Sequence, residues 1–449
     1  MSQRIAPLAS IRWFDHVPDG WAVERIKHVI RTVDSGVSVN ASNVAAQDDQ
    51  FGVLKTSAVS DGKFFPEENK AVWESEADRV ACPVTRDTVI MSRMNTPSLV
   101  GESGYVPADF PGLFLPDRLW KLQFDSSKVQ TAYISKVLSS FGAREALSMM
   151  ATGTSPSMKN LSLEEMGDLP VPLPPLGEQA VISSFLESET ARIDALIAEK
   201  ERMLALLEEK RAAFISRVVS RGLDPNAPLK SSDLEWLGEI PAHWTIWPLK
   251  HVAIKIGSGV TPRGGAESYQ SDGIPLFRSQ NVHFDGLRTD DIVFVDEETH
   301  ESMGNSKVKN GDLLLNITGA SIGRCFYMEN LQGEANVNQH VCIIRPSLFI
   351  TTKYLYFALR STVGQTQIDL SQSGSGREGL NFEALGNLNV PVPPLDEQLA
   401  ITVHLEEINE RSSLLLSEIR NSVAKLKERR AALITAAVSG QISLQEMTG

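Results

Sequence analysis

A proline-rich turn that leads into a long helical stretch occurs twice, and this repeat constrains the fold more than any other feature. The sequence PVPLPPLGEQ in the first copy corresponds to VPVPPLDEQ in the second. Aligned without a gap, Gly167–Ser220 and Gly386–Ser439 are identical at 24 of 54 positions. A second pair upstream, Trp13–Ser38 and Trp236–Thr261, is identical at 9 of 26 positions. The sequence therefore predicts a duplicated unit, in which each globular domain is followed by a helix.

The two helical stretches carry a heptad pattern that predicts a helix–helix pair. After Glu178 and Glu397, each runs for more than forty residues without Gly or Pro, about 60 Å at roughly 1.5 Å per residue. The first stretch begins at the first globular domain and ends at the second, so a second helix packed on it must run back. Seam positions are occupied by Leu186, Ile193, Ile197, Leu204, Leu207, Phe214 and Val218, and by Leu405, Leu416, Ile419, Val423, Leu426 and Leu433. We expect two antiparallel helices that form a coiled coil and act as a spacer.

The predicted fold class is α+β, with two globular domains separated by the helices in a pseudo-twofold arrangement. Short β-branched runs such as LWKLQF and VCIIRP predict strands. Glycine-rich and polar stretches such as ATGTSPSMKN, TGASIG and SGSGREG predict loops. The predicted boundaries are a first globular domain at 1–169, a first spacer helix at 170–221, a second globular domain at 222–388 with a linker at 222–235, a second spacer helix at 389–440 and a tail at 441–449.

The composition and motifs indicate no catalytic or metal site. No phosphate-binding GxxxxGK[ST] loop and no Asn/Asp-Pro-Pro-aromatic methyltransferase loop occurs. The three cysteines lack CxxC spacing, which is typical of buried thiols in a reducing cytoplasm. The eight histidines form no HxxxH pair, so no zinc site is indicated. No apolar run reaches about 18 residues, which argues against a membrane-spanning helix.

One near-match to a metal-dependent nuclease pattern, PD…ExK, begins at Pro18-Asp19 and continues with Glu24 and Lys27. Its Glu–Lys gap is one residue too long. The aligned repeat has Ala242 and Trp247 in place of the two acids. A structural turn is the better interpretation.

The repeated blocks resemble the specificity subunits of type I restriction–modification enzymes. The resemblance rests on PVPLPPLGEQ and VPVPPLDEQ, on the helix ends EKRAAFISRVVS and ERRAALITAAVS, and on IPAHWTIWPLKHVAIKIGSGVTP with its weaker copy VPDGWAVERIKHVI. It implies two target-recognition domains, each of which reads one half of a split DNA site. It also implies two modification subunits, restriction subunits and no catalytic residues in this chain. S-adenosylmethionine, ATP and Mg²⁺ would then bind to the partner subunits.

Base edges and phosphates are contacted by Arg, Lys, Asn and Gln, so loop residues of these types are the candidate DNA contacts. In the first domain they are Lys55, Arg93, Asn95, Lys159 and Asn160; in the second they are Arg263, Arg278, Gln280, Asn281, Arg324 and Arg377. The net charge of −13 is unusual for a DNA-binding chain. We therefore expect weak DNA binding by the chain alone, with partner subunits that supply phosphate contacts.

Two other functions remain open from the sequence. The chain could be a protein–protein scaffold whose two domains are docking modules without DNA contact. It could also be a self-sufficient nuclease, for which activity of the purified chain with Mg²⁺ alone would be required.

Overall fold

The structure, a computed structural model, describes residues 13–155, 157–372 and 379–448. The chain divides into a first compact unit, Met1–Glu201 with Asn421–Gly449, and a second, Arg202–Arg420. The first long helix, Leu176–Arg221, and the second long helix, Leu395–Val438, each contribute residues to both units. The unit boundaries thus fall inside the helices, whereas the sequence-based prediction treats each spacer helix as a segment of its own, 170–221 and 389–440.

The first unit is built on a four-stranded antiparallel sheet in the order Ser103–Val106, Thr88–Ser92, Leu119–Phe124, Ile30–Ser35. A second sheet has the order Asn69–Ala71, Gly52–Leu54, Phe110–Phe114, Pro83–Val84. Shorter strand pairs are Ala22–Arg25 with Pro170–Leu173 and Val59–Ser60 with Lys63–Phe64. The shorter α-helices are Thr131–Ser139, Phe141–Met150, Leu163–Gly167 and Leu444–Thr448.

One predicted loop of the first unit is a strand pair instead. The stretch 151–160 forms the strands Thr152–Ser155 and Met158–Asn160, and the second of these pairs with Met94–Asn95. The glycine and serine content suggested a loop, but pairing with Met94–Asn95 provides the backbone hydrogen bonds that make this segment a strand.

The second unit repeats this plan with a sheet in the order Ala253–Ser258, Val341–Pro346, Leu313–Asn316, Cys325–Tyr327. A three-stranded sheet has the order Val293–Val295, Ile274–Phe277, Asn336–Val337. The two-stranded pairs are Thr245–Pro248 with Asn389–Val392, Leu229–Ser231 with Glu239–Pro241, and Val282–His283 with Gly286–Leu287. The shorter α-helices are Leu249–Val252, Glu297–Ser302, Thr352–Arg360, Thr362–Gln372 and Phe382–Gly386.

In the first unit the two long helices pack against each other along the predicted seam. Ile193, Ile197 and Val423 form a buried cluster. Beside this cluster, the Arg430 guanidinium lies 2.9 Å from the Asp194 carboxylate. The Glu201 carboxylate lies 3.1 Å from the Lys427 ammonium. Partner numbers fall along one helix as they rise along the other, so the pairing is antiparallel.

The same pairing occurs in the second unit. The Arg420 guanidinium lies 2.6 Å from Glu208, and the ring of Phe214 lies 5.7 Å from that of His404. Val218 and Leu405 are both buried in the core cluster of this unit. The predicted antiparallel coiled coil is therefore confirmed within each unit.

Repeated glutamines explain why the proline-rich turns are so similar. The amide oxygen of buried Gln179 accepts from the main-chain N–H of Gln130 at 2.8 Å, and its nitrogen donates to the Pro174 carbonyl at 2.8 Å. Gln398 makes the corresponding bonds to Thr351 at 2.8 Å and to Pro393 at 2.9 Å. Prolines supply no N–H, so a side-chain amide ties each turn to its domain.

Candidate nucleic-acid interface

The end of the strand Thr88–Ser92 in the first unit is held by four main-chain hydrogen bonds. Ser92 accepts from the Gly101 N–H at 2.7 Å and donates to the Glu102 carbonyl at 2.7 Å. The next residue, Arg93, donates to the Arg118 carbonyl at 3.0 Å and accepts from the Leu161 N–H at 2.8 Å. The loop that follows this strand and the segments at Arg118 and Leu161 therefore meet at one strand end, which we call the loop frame.

The second unit contains the same loop frame. Asn316 accepts from the Gly323 N–H at 2.9 Å and donates to the Arg324 carbonyl at 2.8 Å. Ile317 donates to the His340 carbonyl at 3.0 Å and accepts from the Leu380 N–H at 2.8 Å. The two units thus hold equivalent loops in equivalent main-chain geometry.

The side chains on the two frames differ in charge and shape. Arg93 corresponds to Ile317, Arg118 to His340 and Glu102 to Arg324. Equivalent main-chain hydrogen bonds with different side chains suit two surfaces that recognise different chemical patterns.

Glu102, which corresponds to Arg324, forms an ion pair within the first unit. Its carboxylate lies 3.0 Å from the Arg144 guanidinium, and both side chains are only 13% exposed. Burial raises the pKa of Glu102, although the charge of Arg144 acts to lower it. Burial lowers the pKa of Arg144, although the charge of Glu102 acts to raise it. Glu102 is thus held in an ion pair within the first unit, whereas its counterpart in the second unit, Arg324, lines a cavity and has no ion-pair partner among the described residues.

The structure brings four of the five predicted residues of the first unit together at the loop frame. Arg93 lies over the Trp120 ring at 5.4 Å, and its Nε is buried with no hydrogen-bond partner among the described residues. Asn95 pairs with Lys159, and Asn160 with Met94, across adjacent strands. Lys55 lies elsewhere, 3.5 Å from Glu68.

The side chains of this group are partly engaged within the protein. The Lys159 ammonium donates to the Ser148 carbonyl at 2.7 Å, and the Asn95 amide donates to Ser92 at 3.2 Å. Exposed Arg118 was not predicted, although it directly precedes the strand Leu119–Phe124. A polar residue immediately before a buried strand was the signal that could have identified it.

In the second unit, three predicted residues share one loop. Arg278 donates to the Asp291 carbonyl at 2.7 Å, and the Gln280 amide donates to the Asp291 carboxylate. Asn281 is fully buried, and its amide donates to the Arg288 carbonyl and to Asp291, both at 2.9 Å. Asn281 therefore shapes the loop and does not present a side chain to a ligand.

The other three predicted residues of this unit lie apart from one another. Arg263 is exposed in a separate loop. Arg324 lines a cavity of about 370 Å³ with Gln280, Thr318, Ser321 and His340. Arg377 falls outside the described residues. Thr318 and His340 were missed by sequence reasoning, although His340 directly precedes the strand Val341–Pro346.

One group of possible metal ligands occurs among the described residues, namely His300, Glu301 and Glu334. The His300 Nε2 lies 2.9 Å from Glu334, and Glu301 lies 2.6 Å from the Lys307 ammonium. Neighbouring side chains of the protein therefore already contact these groups. Both carboxylates are more than half exposed.

The nuclease-like near-match is part of a structural contact. The Lys27 ammonium lies 2.7 Å from Asp168, and Lys250 in the second unit makes the same contact to Asn387 at 2.8 Å. Its repetition in both units identifies Lys27 as a residue that ties the loop before the proline-rich turn to the domain.

Among the residues that the structure describes, no helix is long and apolar enough to cross a membrane.

Comparison with known proteins shows which proteins this chain is similar to. Residues 241–425 match the type I restriction modification DNA specificity domain. The EcoBI specificity subunit of Escherichia coli is 25% identical over 347 residues, which cover 74% of this chain and 70% of that protein. The EcoKI specificity subunit of Escherichia coli K12 is 20% identical, over 96% of this chain and 90% of that protein.

A solved chain from a study of complex assembly and conformational transition of the type I R-M system has the same fold. Its TM-score is 0.67 at 17% identity, and the match covers 95% of this chain and all of that one. This likeness confirms the predicted fold class. The family-model match and the related sequences confirm the resemblance to type I specificity subunits.

Proposed function

We propose that the chain, a relative of the specificity subunits of type I restriction enzymes, is the DNA sequence-specificity subunit of a type I restriction–modification complex. The observation that carries this proposal is the loop frame, which both units share while its side chains differ. Two readers with one backbone and different side chains are suited to an asymmetric bipartite site. Each unit reads one half of that site, and the long helices set the spacing between the halves.

The chain contributes no catalytic group in this proposal. Two modification subunits methylate the DNA with S-adenosylmethionine, and restriction subunits use ATP and Mg²⁺ for translocation and cleavage. The internal repeat supports two modification subunits, because each unit carries the same proline-rich turn, buried glutamine and helix start. The free thiols of Cys82, Cys325 and Cys342 suit the reducing cytoplasm in which such a complex acts.

The acidic composition fits a subunit that binds DNA weakly alone. The chain has 56 acidic and 43 basic side chains. Many of the basic groups near the loop frames are already engaged, as Arg144 is with Glu102 and Arg278 is with Asp291. Partner subunits that close around the duplex would therefore supply much of the phosphate contact. A scaffold without DNA contact is not favoured by the relationship to specificity subunits.

The decisive experiment is to express the chain with its modification subunits and to map methyladenine in the host genome by methylation-sensitive sequencing. We expect a bipartite, asymmetric motif that disappears when the specificity chain is deleted. Native mass measurement of the purified complex should show two modification subunits per specificity chain. A methylation pattern that is unchanged without the chain would contradict the proposal.

A further inference from the structure

We infer that Arg324 and Thr318, positioned by His340 and Gln339, form the part of the second unit that reads a guanine in the major groove. The inference rests on the proposed function, since it assigns the readout to a DNA half-site. It adds the residues, the direction of their hydrogen bonds and the base that fits them. We call these four residues the second-unit reading group.

Arg324 has the properties of a reading residue. Among the described residues, no carboxylate forms an ion pair with its guanidinium, in contrast to Arg345, which lies 2.6 Å from buried Asp312 in the same sheet. Its carbonyl is fixed by the 2.8 Å bond from the Asn316 N–H, so the residue leaves the strand end at a defined point. It lines the open cavity of about 370 Å³. A half-buried arginine with no ion-pair partner among the described residues, held at a strand end, retains its donors for a ligand.

A hydrogen-bond chain fixes the direction in which Thr318 is polarised. The amide nitrogen of Gln339 lies 2.8 Å from the Nε2 of His340, and the His340 Nδ1 lies 2.6 Å from the Thr318 hydroxyl oxygen. An amide nitrogen can only donate, so the His340 Nε2 accepts and its ring proton is on Nδ1. The Thr318 oxygen then accepts from His340, which leaves its own hydrogen free to donate into the cavity.

Buried Asn316 connects two walls of this cavity by hydrogen bonds. It is fully buried, and its amide donates to the Ser279 carbonyl at 2.8 Å and to the Ser321 hydroxyl at 3.2 Å. Ser279 and Ser321 both line the cavity that contains Arg324 and Thr318. The two walls are therefore cross-linked by one buried side chain, which makes the reading group a preorganised surface.

The group presents hydrogen-bond donors, and this selects the ligand. Guanine is the base whose major-groove edge offers two acceptors, O6 and N7, and arginine pairs with both. Adenine and cytosine place an amino donor on that edge, which would face the Arg324 and Thr318 donors. Glu102 occupies the position of Arg324 in the first unit and is paired with Arg144, so the same readout is not available there.

The test uses the assembled modification complex and a duplex that carries its methylation motif. Each guanine of the second half-site is replaced in turn by 7-deazaguanine, which lacks the N7 acceptor, or by inosine, which keeps N7 and O6. We expect one position at which 7-deazaguanine weakens binding by about 5- to 150-fold and inosine does not. Arg324→Ala should bind the guanine and 7-deazaguanine duplexes alike, whereas Thr318→Val, which removes a donor beside the arginine, should reduce the difference between them.

Two further variants separate reading from folding. His340→Ala should reduce the 7-deazaguanine sensitivity as Thr318→Val does, and His340→Asn, whose side-chain N–H can replace that of Nδ1, should restore it. Lys309→Ala, at an exposed lysine of the same unit, should behave as the wild type. Far-UV circular dichroism and complex assembly verify that each variant folds.

Three results would overturn the inference. The first is a wild-type complex whose binding shows no 7-deazaguanine effect in the second half-site. The second is an Arg324→Ala complex that keeps the full effect. The third is an Arg324→Ala complex whose DNA binding weakens evenly on all sequences, with a smaller dependence on salt concentration. The last result would identify Arg324 as a phosphate clamp. A complex that produces no bipartite motif would instead contradict the proposed function.

Discussion

The hydroxyl of Tyr354 lies 3.2 Å from the carbonyl oxygen of Val219, near the end of the first long helix. The same hydroxyl lies 3.0 Å from the Pro391 carbonyl in the second proline-rich turn. In the first unit, Tyr133 lies 3.0 Å from the Pro172 carbonyl and 3.5 Å from that of Val438. Each unit therefore uses one buried phenol to join the turn that starts one long helix to the end of the other.

Replacing Tyr354 by Phe should destabilise the second unit. The hydroxyl is buried, and burial raises its pKa well above the ordinary value, so it remains a neutral donor. Its removal leaves buried carbonyls without this partner, at a cost of about 1–2 kcal/mol. The measurement is the urea midpoint of unfolding, with hydrogen exchange at Thr352–Arg360. Tyr105→Phe is the matched control, because its hydroxyl makes only an exposed contact to Asp87 at 3.4 Å; an equal loss there would contradict the explanation.

Acid should weaken the contact between Lys27 and Asp168 but leave its counterpart in the second unit unaffected. The hydrogen bond from Lys27, helped by Arg25, holds the pKa of Asp168 below its ordinary value. A lowered pKa means that the stabilisation is present above about pH 4 and is lost as the pH falls through the folded-state value. Asp168→Asn should therefore lower stability at neutral pH, by less than about 1 kcal/mol because Lys27 and Arg25 are half exposed.

The matched variant for this prediction is Asn387→Asp, which places a carboxylate opposite Lys250. It should introduce in the second unit the acid-dependent loss that Asp168→Asn removes from the first. Unfolding curves recorded from pH 2 to pH 7 provide the measurement. A constant difference between wild type and Asp168→Asn over this whole range would exclude the mechanism.

The features that the sequence predicted are those set by local signals. The heptad seam, the proline-rich turns and the strands Leu119–Phe124 and Val341–Pro346 all depend on patterns within a few residues. The meeting of Arg93 with Arg118 could not be predicted, because it depends on which strands become neighbours in the sheet. The strand Met158–Asn160 was missed for the same reason, since it pairs with Met94–Asn95, which is distant in the sequence.

Burial also separates residues that look alike in sequence. Gln280 and Asn281 are adjacent amides in one loop, and both were predicted as DNA contacts. Gln280 lines the cavity, whereas Asn281 is fully buried and binds the main chain of Arg278 and Arg288. Only closure of the loop 278–291 decides which amide faces outward.

Asn281→Ala should consequently act on folding before it acts on DNA recognition. Its side chain makes three hydrogen bonds of 2.9 Å inside the loop, and their loss should cost about 1–3 kcal/mol. Hydrogen exchange across 278–291 is the direct measurement, and faster exchange there is the expected result. Exposed Asn226→Ala is the control and should leave exchange unchanged. Normal protection of the loop in Asn281→Ala would contradict the assigned role.

Exchange of one recognition segment should change only one half of the methylated motif. The segments Val39–Leu161 and Val260–Leu380 end at equivalent residues, Leu161 and Leu380, which close the two loop frames. Replacing the first segment by the matching one from a related specificity subunit should leave the half-site read by the second segment intact. Methylation-sensitive sequencing gives the result, and the reciprocal exchange is the control. A simultaneous change in both halves would show that the two units do not read independently.

Lengthening both long helices should increase the spacing between the half-sites without altering either half-sequence. The helices are 46 and 44 residues long, and an inserted heptad returns every later apolar position to the same heptad phase. Seven residues after Ala205 and seven after Ser422 add about 10 Å at roughly 1.5 Å per residue. This corresponds to about three base pairs at roughly 3.4 Å each. Seven residues inserted instead in the linker between Asn226 and Ala227 should leave the motif unchanged, because the linker lies outside both helices. An unaltered spacing in the double-insertion variant, with the modification complex still assembled and active, would refute the role of the helices as a spacer.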